Sequence, residues 1–196
     1  VQFYKETTEQ NYHYQIYTAG VETVLERVRD YLDDAGFVYV FEQQQKEFSN
    51  MLAKSRLTFV TLHESELRVY PGKRNVLAAQ EGDTVSLEEL KDCSWISLTA
   101  ETITRNFLNK YFEEHGLQFS PDIELATTDM ILPAVRHNLG IGFVPAEIAA
   151  EDIRRGTVFE ITVAEKLPER HILLVQDTES PQSIASKAFQ TFLSQR

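Results

Sequence analysis

Residues 121–149, PDIELATTDMILPAVRHNLGIGFVPAEIA, read as strand, helix, strand and helix in one short run. Ile123 and Leu125, with small residues beside them, predict a short buried strand. Thr127, Thr128 and Asp129 are N-cap types, and one of them starts the next helix. Ile131, Ala134, Val135 and Leu139 recur at helical spacing and give that helix an apolar face. Pro133 fits in a first turn, where its missing N–H costs nothing. Asn138 or Gly140 ends the helix. Ile141 to Val144 then predicts a fully buried strand of the parallel type. Pro145 closes it and opens another short helix. A βαβ unit of this kind sets its loops at the carboxyl ends of its strands, where open α/β sheets bind ligands. The helix start at Thr127 to Asp129 offers backbone N–H groups suited to an anion or a polar oxygen.

The same alternation extends both ways. Downstream, Ile148 to Ile153 continues a helix that Gly156 ends, Val158 to Val163 and Ile172 to Val175 read as strands, and Pro181 to Leu193 forms a last helix. Ala185, Ala188, Phe189, Phe192 and Leu193 give that helix its buried face. Upstream, Val85 to Leu90 is a short helix capped by Thr84 or Ser86, and Trp95 to Leu98 is a strand. Thr99 opens a helix running from Thr102 to His115, with Ile103, Phe107, Leu108, Tyr111 and Phe112 on one stripe and Gly116 as its stop. Val1 to Gln10 reads as the end of a helix with Phe3 and Tyr4 on its apolar side. Tyr12 to Tyr17 is a strand, Thr18 to Gly20 a turn and cap, Val21 to Leu32 an amphipathic helix and Gly36 to Val40 a buried strand. Phe41 to Ser55 is polar and Gln-rich, a surface loop or short helix. Arg56 to Leu62 and Glu66 to Tyr70 are strands, followed by a turn at Pro71 and Gly72. Strand and helix in alternation predict an α/β fold with mostly parallel sheets.

A chain of 196 residues can bury one large or two small cores. Its net charge of −11 argues against this chain itself holding a polyanion, since phosphates are met by Lys and Arg. One cysteine, Cys93, excludes an internal disulfide and suits a reducing compartment. No apolar run approaches the roughly 20 residues of a spanning helix, and no signal peptide is visible. Val1 is not a natural start, so an upstream segment is expected.

Catalysis finds little support. His13, His63, His115, His137 and His171 are scattered and stand in no metal-ligand spacing, so each is read as structural. Cys93 has no His beside it and reads as a structural thiol. No nucleophile elbow, P-loop or dinucleotide fingerprint occurs, and Gly140 with Gly142 is a packing feature. The acidic neighbours Asp33-Asp34 and Glu113-Glu114 do not face one another on a helix and read as solvated surface. No catalytic residue, metal site or cofactor is assigned. The hydroxyl-rich strand ends differ: Thr18, Thr99 to Thr102, and Thr127 with Thr128 each set small polar groups at a helix start. One such loop is ordinary capping, whereas three point to a small-ligand cleft.

The capped helix start, followed by Val135-Arg136-His137-Asn138-Leu139-Gly140-Ile141-Gly142-Phe143-Val144-Pro145, resembles the effector-binding domain of LysR-type transcriptional regulators. The pieces from Val85 to Thr99 and from Phe159 to Leu193 follow that family's usual order, so the resemblance covers nearly the whole chain. Asp34-Ala35-Gly36 stands where the family has its Leu-Asp-x-Gly link, while Asn75-Val76-Leu77 departs from the usual His-Pro-Leu.

The resemblance implies a two-lobed type 2 periplasmic-binding-protein-like fold, each lobe a mostly parallel sheet flanked by helices. Lobe one would hold residues 1–68 and 177–196, and lobe two residues 69–176, with crossing strands near 66–71 and 167–176. The family domain begins one strand earlier than this chain, with a Ser/Thr-bearing loop and a winged helix-turn-helix further upstream. The implied site is a cleft between lobes that binds a small, acidic or polar metabolite through Thr18, Thr99, Ala100, Glu101, Thr102, Thr127, Thr128 and Phe143. Phe143 and Pro145 would shape the wall or the core beneath it. The implied protein is a bacterial, cytoplasmic homodimer, paired antiparallel through lobe one, that touches DNA only through its N-terminal domain and no membrane. Two other readings stay open at this point. One is a solute-binding protein of a transporter with the same architecture. The other is an enzyme on that fold, such as a deaminase or transferase.

Overall fold

The computed structural model describes residues 3, 12–74, 81–167, 169–177, 179 and 182–194. The expected helix over residues 1–10 falls outside them except for Phe3, as do Asn75 to Leu77 and Pro181. Contacts divide the chain into two compact units, residues 1–64 with 170–196 and residues 65–169.

Unit 1 carries α1 (Val21–Arg29), β1 (Gly36–Phe41), α2 (Gln45–Leu52), β2 (Leu57–Ser65, its last residue at the unit boundary) and, after unit 2, β9 (Arg170–Asp177) and α7 (Ile184–Ser194). The sheet order is β1-β9-β2, with β9 in the centre. β1 and β9 run antiparallel from Gly36 opposite Val175 to Phe41 opposite Arg170, where a buried strand in a mostly parallel sheet was expected. β1 alternates: Val38 and Val40 face the core, while Phe37 and Tyr39 are 46% and 39% exposed. The core joins Leu25, Val28, Val38, Val40, Leu173 and Val175 with Phe48 and Leu52 of α2. The Gln-rich stretch therefore supplies core residues, because α2 turns Phe48 and Leu52 inward and leaves Met51 exposed. Residues 12–17 form no strand. Most of that stretch is exposed, and Tyr14 packs its ring edge-on against Phe3 instead of entering the sheet. α1 ends in a Schellman motif, with Tyr31 N–H donating to Val28 O at 3.2 Å and Leu32 N–H to Arg27 O at 2.9 Å. Tyr31 occupies the left-handed position there at φ 61°, a place usually taken by Gly.

Unit 2 carries β3 (Leu67–Pro71), β4 (Thr84–Val85), α3 (Leu87–Leu90), β5 (Trp95–Leu98), α4 (Ile103–Glu114), β6 (Ile123–Leu125), α5 (Ile131–Arg136), β7 (Ile141–Pro145), α6 (Ala146–Arg154) and β8 (Thr162–Val163). The main sheet has the order β3-β7-β5-β6, with β5, β6 and β7 parallel and β3 antiparallel to β7. β7 is buried throughout, as its apolar run predicts. Ile96, Leu98 and Val144 pack with Ile131, Leu132 and Val135 of α5 and Ala149 of α6 on one face. Trp95, Phe112, Phe119 and Phe143 form an aromatic layer with α4 on the other.

Local signals in unit 2 largely hold. Ser86 and Glu89 form a reciprocal capping box at α3. Gly116 and Gly156 take positive φ at the ends of α4 and α6. Asn138 ends α5 at φ 59°, and this early stop leaves Leu139 outside the helix and 53% exposed, not on its apolar face. β6, at the sheet edge, is half-buried, with Glu124 exposed. Pro71 belongs to β3 and Gly72 bridges to Val158 instead of forming a turn. A Cβ at Gly72 would lie 2.3 Å from Val135 O, so strand and helix end approach through the missing side chain.

Candidate functional site

β5 and β6 are parallel neighbours, with Ile96 opposite Ile123 and Leu98 opposite Leu125. Their chains leave the sheet at the same edge. Thr99 N–H donates to Leu125 O at 3.1 Å, which ties the two departing loops together.

Thr99 to Thr102 is a tight turn. Thr102 N–H and Thr102 Oγ1 both donate to Thr99 O, at 3.2 and 3.0 Å. Thr102 then takes an extended conformation as N-cap of α4, and its Oγ1 accepts from Arg105 N–H at 3.2 Å. The expectation that Thr99 opens the helix is corrected: the turn interposes one step, and Thr102 does the capping. Thr127 precedes a single 3-10 turn over Thr128–Met130, and its hydroxyl makes no capping bond. Among the described residues, the hydroxyls of Thr99, Thr127 and Thr128 and the N–H groups of Ala100 and Glu101 make no hydrogen bond. The three threonines are half-buried, and Ala100 and Glu101 are exposed.

Beneath this edge lies Arg105, 8% exposed. Its Nη1 donates to Leu98 O at 3.2 Å and to Glu124 Oε1 at 2.6 Å. Its Nε donates to Asn109 Oδ1 at 2.9 Å. The guanidinium also stands 5.4 Å from the centre of the Phe119 ring, within range of a cation–π contact. The apolar reading of α4 passed over this residue. Arg105, Leu108 and Phe112 share the buried stripe at i, i+3 and i+7, and that spacing marks the arginine as inward-facing.

The LysR substrate binding domain model matches residues 9–196. The chain belongs to the LysR substrate-binding-domain family. It is therefore the effector-sensing regulatory domain of a LysR-type regulator, a non-enzymatic family, and not a transporter's solute-binding protein. It is similar to the uncharacterized HTH-type transcriptional regulator YeiE of Escherichia coli K12, at 30% identity over 100 residues, 51% of this chain and 33% of YeiE. The match thus spans about a third of that relative. In fold it resembles the effector-binding domain of QuiR, solved with shikimate, at TM-score 0.71 and 19% identity, covering 98% of this chain and 85% of that one. It also resembles the regulatory domain of Synechocystis PCC6803 CcmR, solved with 2-PG, at TM-score 0.74 and 16% identity, covering 98% and 88%. These likenesses agree with the type 2 periplasmic-binding-protein-like fold.

In this LysR domain, Thr99, Ala100, Glu101 and Thr102 follow β5, and Thr127 and Thr128 follow its parallel neighbour β6, on two loops linked by the Thr99 to Leu125 bond. Phe143 does not join them. It is 3% exposed and stacks on Trp95 with ring centres 4.9 Å apart and planes 5° apart, inside the aromatic layer. Thr18 is an exposed residue of unit 1, in a stretch without regular structure. A separate groove of about 220 Å³ runs along β3 and β8 past Arg68, Ile161 and Lys166, and it takes in none of the expected residues. Cys93 is half-buried, and burial, with Asp92 beside it, pushes its thiol pKa up, which favours the inert thiol over the thiolate. Among the described residues, no group of three or more His, Cys, Asp and Glu could hold a metal, and no helix is long and apolar enough to cross a membrane.

Proposed function

We propose that the domain senses a small acidic or polar metabolite through the joined loops after β5 and β6. Thr99, Thr127 and Thr128 supply hydroxyls, and Ala100 and Glu101 supply backbone N–H groups. The observation that carries this is the division of labour within the first loop: Thr102 satisfies the helix start, which leaves Thr99 uncommitted. The N–H groups of Ala100 and Glu101, unpaired among the described residues on an exposed turn just before the helix, can donate to an oxyanion or a hydroxyl. Shikimate on QuiR and 2-PG on CcmR make hydroxylated and anionic acids the first candidates. Thr18 stays in the proposed set on the resemblance alone.

Occupancy of the site would be passed to an N-terminal winged helix-turn-helix in a cytoplasmic, bacterial regulator. DNA is touched there and not here, since this chain carries a charge of −11. Homodimer formation through unit 1 belongs to the same proposal, and the exposed Phe37 and Tyr39 on β1 support it.

The test is calorimetric titration with shikimate, 2-PG and a panel of small hydroxylated carboxylates, beside thermal melts. Thr99→Val keeps the shape and deletes one hydroxyl. It is expected to weaken binding by about 1–3 kcal/mol and to leave the melt unchanged. Thr102→Ala is expected to lower stability by about 1 kcal/mol through loss of the cap. Unchanged affinity in Thr99→Val for a metabolite the wild type binds would remove Thr99 from the site.

A further inference from the structure

We propose that Arg105 is a positioning residue for the effector site, setting the spacing between its two hydroxyl-bearing loops. The inference rests on the reading of those loops as the site. Arg105 is anchored on α4, yet its guanidinium does not serve α4 alone. One nitrogen, Nη1, reaches both the last carbonyl of β5, at Leu98, and the carboxylate of Glu124 in the middle of β6. Thr99 follows Leu98 directly, and Thr127 lies three positions after Glu124. The bond from Thr99 N–H to Leu125 O closes the opposite side of the same frame. Nε on Asn109 and the Phe119 ring fix the guanidinium plane, so its donors point in set directions.

A lysine cannot copy this. Its ammonium is a single point on a flexible stem, whereas the planar guanidinium presents several donors in a fixed fork. Arg105 is also part of the fold, because a buried unpaired Leu98 carbonyl and a half-exposed Glu124 would remain without it. The two roles separate by location. A role confined to packing would loosen unit 2 as a whole. A positioning role loosens the frame that carries Thr99 and Thr127 first.

Amide hydrogen exchange followed by NMR on the ligand-free chain reads this without knowledge of the effector. In Arg105→Met the Thr99 amide is expected to exchange at least about tenfold faster, by local opening of its bond to Leu125. The amides of Thr102 and Met130, bonded to Thr99 O and Thr127 O, lose protection with it, while β7 and the second half of α4 keep theirs. Arg105→Lys is expected to restore less than half of the lost protection. If Arg105→Met does not fold, Glu124→Ala at the half-exposed end of the same pair is read in the same way. A uniform rise across unit 2, or an unchanged Thr99 amide, overturns the proposal. The outcomes are distinct from those for the site itself: loosened loops with an inert Thr99 hydroxyl would leave the frame standing and move the ligand elsewhere.

Discussion

The sheet of unit 2 is covered on both faces, by α5 and α6 on one side and by α4 on the other. In unit 1, the edge strand β1 turns Val38 and Val40 into the core and presents Phe37 and Tyr39 outward. Both sheets use short strands of similar composition, so composition alone does not separate them. Cover does: β7 lies in a sheet with helices on both faces, and all five of its residues are buried. β1 is an edge, and it alternates. A strand in a sheet covered on both faces can be buried throughout, as β7 is and even the edge strand β3 is but for Arg68, whereas β1 alternates because its second face is covered only in part, by Phe189 against Phe37.

The comparison breaks most sharply at Phe143. Phe143→Ala removes the ring stacked on Trp95 from a layer that cannot collapse far, and is expected to cost about 3–5 kcal/mol in urea unfolding. A loss below about 1 kcal/mol would mean that the aromatic layer is loosely packed. Gly140→Ala is next. The new Cβ would lie 2.3 Å from Ser94 O, a backbone atom that cannot step aside, so about 1–3 kcal/mol should be lost in the same measurement.

Unit 1 should respond in the other direction at Tyr31. Tyr31→Gly relieves the left-handed backbone and forfeits the ring contact with Arg56, 5.3 Å from its centre. A gain of about 0.5–1 kcal/mol is expected, read as a higher unfolding midpoint. A loss would show that the ring contact outweighs the strain. Val60→Thr on β2, at a site 59% exposed, is expected to stay within about 0.5 kcal/mol. If Val60→Thr lowers the melt by more at high protein concentration than at low, that face is buried against a second copy.

These contrasts mark where sequence reading succeeded. β7 was legible because Asn138 and Pro145 punctuate an unbroken apolar run. The cap of α3 was narrowed to Thr84 or Ser86, and the reciprocal bond with Glu89 decides for Ser86. Cover was not legible: β6 and β1 look buried until it is known what packs on each face, and that depends on contacts distant in sequence. The strand expected over residues 12–17 failed for the same reason, since alternation specifies a face and not a neighbour. At the site, the threonines were grouped from their places after strands, but the capping role within the first loop was misassigned. Thr99 and Thr102 both precede an apolar helix, and only the geometry of the turn between them decides which one caps. Arg105 escaped notice because a stripe was sought among apolar residues alone. An arginine at the same spacing points inward just as surely.

Unit 1 is discontinuous in sequence, and β9, the central strand of its sheet, comes from the far side of unit 2. On the ribosome this fixes an order of events. Residues 65–169 emerge as one uninterrupted segment and can fold as soon as they are clear of the exit tunnel. At about 5–20 residues per second, their synthesis occupies roughly 5–20 s, during which β1 and β2 wait without the strand that lies between them. The earliest part of the chain is thus the last to complete its sheet, and for that interval its apolar strands depend on chaperones or on α1 and α2 for cover.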